Sequence, residues 1–254
     1  MNPAELEAGV MLVDKPVGPT SFAVVQRLRR LLEIKKIGHA GTLDPFASGL
    51  LILCVGRSAT RQIDSFMAGR KTYEAVLQLG QETTTLDPEG QVTAVRPAPK
   101  LKETELAALL QDFVGPQMQA PPAYSAAKHQ GRPLYDYARQ GIIITKEAKQ
   151  IEIYSLELRQ YAAQEAALSF TVSCSRGTYV RVLAADIGKR IGCGGHLTAL
   201  RRTWSGGFAV AEAVDGDLLF AEDEDREAAC AALRQKMLPV ELALTISKSA
   251  AQAA

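Results

Sequence analysis

The sequence predicts an α+β fold with a mostly antiparallel, mixed sheet flanked by helices. Strand-like apolar segments come in clusters and do not alternate regularly with helical ones, which argues against a doubly wound parallel sheet. Residues 168–174 alternate strictly between apolar and polar side chains, as a strand with one buried face does. Residues 178–191 carry apolar side chains at helical spacing. With 254 residues, 47% of them hydrophobic, the chain is long enough for a sizeable core.

The N-terminal elements are predicted by a short apolar run and a helix-capping signal. Residues 9–13 form the run and predict a buried strand. Thr20 or Ser21 is expected to cap a helix that continues to about Leu32. The apolar face of this helix is predicted to consist of Phe22, Val25, Leu28 and Leu32.

A glycine-rich segment follows and separates this helix from the next strand. Residues 38–49 predict a loop, and residues 50–55 predict an apolar strand. Further strands are predicted at 72–79, 150–157 and 168–174, and further helices at 103–113, 133–140, 178–191 and 224–236.

Several classes of protein are disfavoured by composition. No segment approaches the roughly 20 apolar residues that span a bilayer, and the N-terminus lacks a basic region followed by an apolar one. We therefore expect a cytoplasmic protein with no membrane partner. The four cysteines are scattered without a C-x-x-C pair, so we expect buried thiols and neither disulfides nor a metal site. No dinucleotide fingerprint is present, and no cofactor is expected.

Charge is distributed unevenly along the chain. Residues 1–211 carry 25 Lys and Arg against 19 Asp and Glu, whereas residues 212–254 carry 4 against 9. A basic body with an acidic end is compatible with binding to RNA phosphates. Within the body, residues 27–36 form a basic cluster that is explained equally by a solvated helix face and by an RNA contact.

Asp44 is the main candidate for a catalytic residue. It lies in residues 38–51, where three glycines and a proline require a specific backbone path. Pro45 biases Asp44 toward an extended conformation. An isolated Asp-Pro pair is usually a turn, but a carboxylate enclosed by Gly, His, Thr and Ser ahead of an apolar strand indicates a function.

This loop resembles the catalytic loop of the TruB family, the bacterial pseudouridine synthases that act on uridine 55 of tRNA. Other segments resemble the same family in the same order along the chain. They are residues 9–18, residues 71–73, the Thr/Asp-rich residues 80–90, residues 121–128, residues 174–181 and residues 192–202. The resemblance covers about residues 9–210 and implies a pseudouridine synthase-like catalytic domain.

The resemblance implies the reaction and its central residues. The enzyme would break the C1′–N1 bond of the T-loop uridine, rotate the uracil and join C1′ to C5, on a nucleotide flipped out of the folded loop. Asp44 would be the catalytic carboxylate, and whether it acts as nucleophile or base stays open. Arg181 would hold Asp44 ionised through a bidentate pair, and Tyr73 would stack on the base and assist proton transfer.

The resemblance also implies a set of substrate-binding residues. Tyr179 and Leu200 would line the base pocket, and His39 would occupy or stack against the space that the flipped base leaves. Lys15 would either support the active-site loop or contact a phosphate. Arg202 is a candidate for a phosphate contact, which would make binding sensitive to salt.

The implied partner is the T-stem-loop of tRNA, read by shape, by a monomer without guide RNA. We expect a catalytic domain at 1–211, a helical extension at 212–246 without the PUA-type RNA-binding domain of many family members, and a disordered tail at 247–254. Three alternatives are a non-catalytic RNA-binding or RNA-folding module, a guide-RNA-dependent relative and a glycosidase. A tRNA-folding activity is also compatible with catalysis.

Overall fold

The computed structural model describes residues 8–220 and 226–252. The chain forms two compact units. The first combines the chain up to Thr72 with the chain from Arg201 onward, and the second is Tyr73–Leu200. The boundary predicted at residue 211 therefore falls inside the first unit.

Strands and helices alternate irregularly along the chain. The strands are β1 (Gly9–Lys15), β2 (Ile37–Ala40), β3 (Ser48–Val55), β4 (Lys71–Leu79), β5 (Gln81–Thr83), β6 (Val92–Val95), β7 (Gly115–Gln119), β8 (Lys128–His129), β9 (Arg132–Pro133), β10 (Lys149–Ala162), β11 (Ala167–Cys174), β12 (Gly195–Ser205), β13 (Phe208–Ala209) and β14 (Val214–Asp215). The α-helices are α1 (Ser21–Leu32), α2 (Gly56–Thr60), α3 (Ile63–Met67), α4 (Glu103–Gln111), α5 (Leu134–Ala138), α6 (Val180–Ile191), α7 (Arg226–Gln235) and α8 (Val240–Gln252).

The sheet of the first unit has β3 near its centre. β3 pairs antiparallel with β1 and with β2, and parallel with the part of β12 that starts at Arg201. One face of β1 and β3 packs on α1, and the opposite face packs on Phe66, Phe208 and α8. Because both faces of β3 are buried, its sequence is apolar without alternation. This explains the continuous run that predicted a strand at 50–55.

Helix α1 begins where the sequence predicted, although one residue of its apolar face was placed wrongly. Thr20 is the N-cap, and its hydroxyl accepts a hydrogen bond of 3.0 Å from the amide of Ala23. The buried face consists of Ser21, Val24, Val25, Leu28, Leu31 and Leu32. Phe22 was predicted to be in this face, but 53% of it is exposed, and its ring lies under the guanidinium of Arg29 instead.

In the second unit the strand order is β12-β4-β11-β10-β7. β10 pairs antiparallel with β11 and with β7, and two small hairpins, β5–β6 and β8–β9, lie outside this order. Parallel pairing occurs at β1–β14 and at β3–β12, so the sheet pattern is mixed but mostly antiparallel. The predicted fold class is confirmed.

The prediction of a loop over the whole of residues 38–49 was wrong at both ends. Residues 37–40 form β2, and Ser48 and Gly49 already belong to β3. Glycine and, to a lesser degree, alanine have low strand propensity, but pairing with β3 satisfies the backbone of β2. Only residues 41–47 are left as a loop.

The prediction of a disordered tail from residue 247 was wrong for residues 247–252, which continue α8. Ser247 is buried, and its hydroxyl donates to the carbonyl oxygen of Ser65 at 3.3 Å. Lys248, Ala250, Ala251 and Gln252 all have high helix propensity, so few bulky side chains are needed to extend the helix. Residues 253 and 254 lie outside the described residues.

Within residues 8–220 and 226–252, none of the helices has both the length and the apolar character needed to cross a lipid bilayer.

Candidate active site

The loop of residues 41–47 carries Asp44 and is fixed by hydrogen bonds to its backbone. The hydroxyl of Ser21 donates to the carbonyl oxygen of Leu43 at 2.9 Å and accepts from the amide of the same residue at 2.9 Å. The amide of Ala47 donates to the carbonyl oxygen of Asp44 at 3.1 Å and closes a tight turn. Leu43 is buried and Asp44 is half-buried. The carboxylate therefore projects from a backbone that is held in place on both sides.

Lys15 supports this loop from β1. Its side chain has 0% exposure, and its ammonium donates to the carbonyl oxygens of Pro16 and Pro19 at 2.8 Å each and of Pro45 at 3.4 Å. The amide of Gly18 donates to the same Pro45 oxygen at 2.8 Å. Of the two roles that the sequence left open for Lys15, the contacts favour loop support, because a fully buried ammonium has no surface to offer a phosphate.

Arg202 is placed differently from the expectation. Only 1% of it is exposed, and its guanidinium donates to the carbonyl oxygens of Leu50 at 2.7 Å, Gly41 at 3.0 Å and Thr42 at 3.5 Å. A side chain buried to this extent has almost no surface to offer a phosphate of a bound RNA. The predicted phosphate contact is therefore corrected to a contact with the backbone of the Asp44 loop.

His39 lies on β2, half-buried, immediately ahead of the loop. Burial lowers the pKa of its imidazole below the ordinary value of 6.5, and the positive charge of Arg202 lowers it further. Its Nδ1 atom is buried and has no hydrogen-bond partner among the described residues. His39 therefore presents a neutral ring at neutral pH, and an aromatic ring of this kind can stack against a base.

The depressed pKa of His39 predicts a pH dependence of stability. Because the unfolded chain takes up this proton near pH 6.5 and the folded protein resists it, the free energy of unfolding falls as the pH drops below about 6.5. Urea denaturation of the wild type and of His39→Gln at pH 7.5 and 5.5 measures the effect. The wild type is expected to lose more stability between the two pH values than the variant, and equal losses would contradict the buried neutral imidazole.

In the second unit, Arg181 is the centre of a buried polar cluster. Its guanidinium lies 3.3 Å from the carboxylate of Asp87, with both side chains 4% exposed, and donates to the carbonyl oxygens of Thr85 at 2.6 Å and Tyr124 at 2.7 Å. The Asp87 carboxylate also accepts from the Thr85 hydroxyl at 2.5 Å and from the amide of Glu89 at 3.0 Å. The arginine is thus locked to the Thr/Asp-rich hairpin, and its predicted pairing with Asp44 stays a prediction.

The remaining predicted residues of the second unit lie on two strands and at the start of a helix. Tyr73 is buried on β4, and Leu200 is buried on β12. Tyr179 is the N-cap of α6. The side-chain amide of Gln119 holds its backbone with two hydrogen bonds: Oε1 accepts from the backbone N–H of Tyr179 at 2.7 Å, and Nε2 donates to its carbonyl oxygen at 3.2 Å. Gln119 thereby fixes the start of the helix that carries Arg181.

The predicted site residues thus divide between the units. Within the first unit, Lys15, His39 and Arg202 are brought to the loop that carries Asp44 or to its flank, and the second unit carries Tyr73, Tyr179, Arg181 and Leu200.

Three supporting residues were missed by sequence reasoning. The sequence indicates Ser21 only as a helix cap, and it indicates no role for Asp87 or Gln119 in the site. A Ser next to the capping Thr20 was the only local signal for the first of them. The partners of the other two are 94 and 60 residues away along the chain, so no local pattern could identify them.

The basic cluster at residues 27–36 has a mixed role. Arg27 donates to the carbonyl oxygen of Leu219, and Arg29 donates to that of Ile37 at 2.6 Å, so both have structural contacts. Lys35 and Lys36 are exposed. Arg57 on α2 and Arg61 at the end of that helix are exposed as well. The amide of Gly56 donates to the carbonyl oxygen of Lys36 at 2.7 Å, which holds the two segments together. We call Lys35, Lys36, Arg57 and Arg61 the basic patch.

Metal ligands do not cluster in the part of the chain that the structure describes. No group of three or more His, Cys, Asp or Glu side chains there could hold a metal ion.

Comparison with known proteins identifies the family. Residues 29–180 match the family described as TruB family pseudouridylate synthase (N terminal domain), and residues 181–245 match the tRNA pseudouridylate synthase B C-terminal domain. The chain belongs to the TruB family. The matched residues include Asp44 and Tyr73 in the first segment and Arg181, Leu200 and Arg202 in the second.

Curated TruB-family relatives match over most of the chain. The tRNA pseudouridine synthase B of Desulfotalea psychrophila is 52% identical over 226 residues, which cover 88% of this chain and 92% of that protein. The protein of the same name from Thiobacillus denitrificans is 50% identical over 84% of this chain and 70% of its own length. That from Opitutus terrae is 45% identical over 84% and 87%.

Solved structures with a similar fold agree with TruB-family membership. A chain of a Cbf5-Nop10-Gar1 complex superposes with a TM-score of 0.69 at 28% identity and covers 92% of this chain. A chain of an H/ACA RNP bound to a substrate RNA containing 2′-deoxyuridine gives a TM-score of 0.67 at 25% identity and covers 95%. This chain spans 61% and 64% of those two chains, respectively. The resemblance seen in the sequence is confirmed.

Proposed function

We propose that this protein isomerises a uridine of tRNA to pseudouridine, and that the uridine is the one at position 55 in the T-loop. Membership of the TruB family carries the proposal, because the relative that is 52% identical over nearly its whole length is a tRNA pseudouridine synthase B. The loop that carries Asp44 also supports the proposal, because it holds a carboxylate of the kind that the reaction needs on a backbone fixed by hydrogen bonds.

The reaction conserves the atoms of the nucleoside apart from one exchanged proton. The C1′–N1 bond breaks, the detached uracil rotates, C1′ bonds to C5, the proton on C5 leaves to solvent, and N1 gains a proton. No electrons enter or leave, so side chains that attack, orient and transfer protons are sufficient. Asp44 provides the carboxylate that the step needs near the ribose, acting as nucleophile or as base.

The other residues are proposed to orient the carboxylate and the base. Arg181, whose charge is permanent, keeps Asp44 ionised. Tyr73 stacks on the uracil and assists proton transfer, and Tyr179 and Leu200 line the base pocket. The neutral ring of His39 stacks in the space that the flipped nucleotide leaves.

The proposed partner is free tRNA, bound through its T-stem-loop by a monomer in the cytoplasm without a guide RNA. A tritium-release assay tests this function. An unmodified tRNA transcript with tritium at C5 of uracil is incubated with the protein alone, and the released tritium is counted. Stoichiometric release of one tritium per tRNA, lost when uridine 55 is replaced by cytidine, is expected. Binding of tRNA without release would leave an RNA-binding or RNA-folding module as the function.

The basic patch predicts how binding depends on salt. Its four exposed cations are proposed to contact tRNA phosphates, and each phosphate contact contributes roughly one unit to the slope of log Kd against log salt. In the variant with all four residues changed to Gln, the slope is expected to decrease by about two to four units. Filter binding between 50 and 200 mM salt measures it, with exposed Arg159→Gln of the second unit as the control. An unchanged slope would show that the patch is a solvated surface.

A further inference from the structure

The guanidinium of Arg202 joins the two ends of the loop that carries Asp44. Its Nη atoms bind the carbonyl oxygens of Gly41 and Thr42 at the start of the loop, and its Nε binds that of Leu50 just beyond the end. A planar fork with five N–H donors can reach acceptors in different directions at once, which a lysine ammonium cannot do with the same fixed geometry. The contact therefore fixes the separation of the two ends of the loop.

The backbone around Arg202 is built for this contact. Arg202 pairs with Gly49 in the parallel β3–β12 ladder, and Gly49 has a φ of +100°. A Cβ atom at Gly49 would lie 2.3 Å from the carbonyl oxygen of Arg202, so only glycine allows the two strands to approach this closely. Gly41 has a φ of +90°, and a Cβ there would lie 3.4 Å from Nη1 of Arg202.

The electrostatic environment of Arg202 is also unusual. Its side chain is buried, no carboxylate among the described residues lies within salt-bridge distance of it, and its hydrogen-bond acceptors are carbonyl oxygens. Burying an arginine without a counter-ion costs free energy. A hydrophobic residue would fill the same space at a lower cost in free energy. The presence of an arginine is therefore explained if its contacts with the loop are needed for function.

We propose that Arg202 is a positioning residue for the reaction, which acts by clamping the loop of residues 41–47 and so fixing the place of the Asp44 carboxylate. The proposal rests on the function proposed above. It differs from the sequence-based expectation, because Arg202 then contributes to the chemical step and not to RNA affinity. Its effect must therefore fall on the rate at saturating tRNA and not on Kd.

Kinetics and hydrogen exchange on four variants test the proposal. Arg202→Met removes the clamp, Arg202→Lys keeps the charge without the fork, and Gly41→Ala disturbs the contact from the loop side. The matched control is Arg234→Met, because Arg234 is a half-buried arginine of the same unit that also donates to a backbone carbonyl, that of Leu32 at 3.4 Å. The readouts are the single-turnover rate at saturating tRNA, the Kd for tRNA and the amide exchange of a peptide covering residues 41–47.

A displacement of about 1 Å at a catalytic group costs on the order of 100-fold in rate, and this loss is expected for Arg202→Met. Arg202→Lys should lie between it and the wild type, Gly41→Ala should show the same pattern, and Arg234→Met should match the wild type. The Kd should stay unchanged, and loop exchange should accelerate in the Arg202 variants. If Arg202→Met does not fold, the Lys and Gly41→Ala variants decide the question.

Two results would overturn the proposal. One is a weakened Kd with a reduced salt slope and an unchanged single-turnover rate, which would make Arg202 a phosphate contact. The other is wild-type rate and wild-type loop exchange in Arg202→Met and Arg202→Lys. Failure of the proposed function is distinguishable, because it would leave the wild type itself inactive, whereas loop exchange reports on the clamp without any activity.

Discussion

Changing Asp44 to asparagine is expected to reduce pseudouridine formation on the order of 10⁴-fold or more, while tRNA binding is retained. The amide has nearly the same shape as the carboxylate, so the loop held by Ser21, Lys15 and Arg202 should keep its path. It can neither attack the ribose efficiently nor accept a proton from it. Loss of a general base costs up to about 10⁴-fold, and loss of a nucleophile costs on the order of 10⁶-fold. Single-turnover tritium release at saturating tRNA, together with Kd, measures the two quantities separately.

Thr42, two residues before Asp44, provides a control for this experiment. Thr42→Ser changes an exposed residue of the same loop without touching the carboxylate, and it should keep the wild-type rate. An Asp44→Asn variant that releases tritium at more than a few per cent of the wild-type rate would contradict the assignment of Asp44. An Asp44→Asn variant that still accelerates tRNA folding would reveal the RNA-folding activity that the sequence also allows.

Replacing Arg181 by methionine is expected to destabilise the protein by about 3–5 kcal/mol, because it leaves the Asp87 carboxylate buried without its cation. Both side chains are 4% exposed, so water cannot replace the lost partner. The carbonyl oxygens of Thr85 and Tyr124 lose a donor at the same time. Urea denaturation at pH 7.5 measures the change in the free energy of unfolding.

A double-mutant cycle separates the ion pair from the other contacts. The Arg181→Met, Asp87→Asn protein should be less destabilised than the sum of its single variants, with a coupling of roughly 0.5–3 kcal/mol. Helix α6 offers a matched control, since Arg190 lies 3.3 Å from Asp112 at the surface, with side-chain exposures of 64% and 60%. Arg190→Met should cost less than about 1 kcal/mol. Additive effects at Arg181 and Asp87, or equal costs at Arg181 and Arg190, would contradict the account.

The sequence predicted the strongly periodic elements well. The strict alternation of residues 168–174 became β11, and the continuous run at 50–55 became a strand buried on both faces. In these cases the order of apolar and polar residues directly reflects which side chains are buried. The prediction from sequence failed where pairing with another strand decides the conformation, as for β2. It also failed where residues of high helix propensity, but without an apolar pattern, extend a helix, as at residues 247–252.

The candidate site was predictable only in part. Asp44 could be singled out because its loop combines glycines, a proline and a carboxylate within a few residues. The roles of Lys15 and Arg202 depend on whether their side chains are buried or exposed, and the local sequence does not show which. Asp87 and Gln119 act on partners distant along the chain, so their contacts appear only in the folded protein.

The most direct test of the central claim is to map pseudouridine at nucleotide resolution in tRNA treated with the purified protein. An unmodified transcript is incubated with the protein and then labelled with a carbodiimide. Reverse transcription stops at each labelled pseudouridine. We predict one new stop, at the T-loop uridine, with the wild type and none with Asp44→Asn, in the absence of any guide RNA or cofactor. A stop at another position would refute the proposed target, and a stop that persists with Asp44→Asn would refute the role of Asp44.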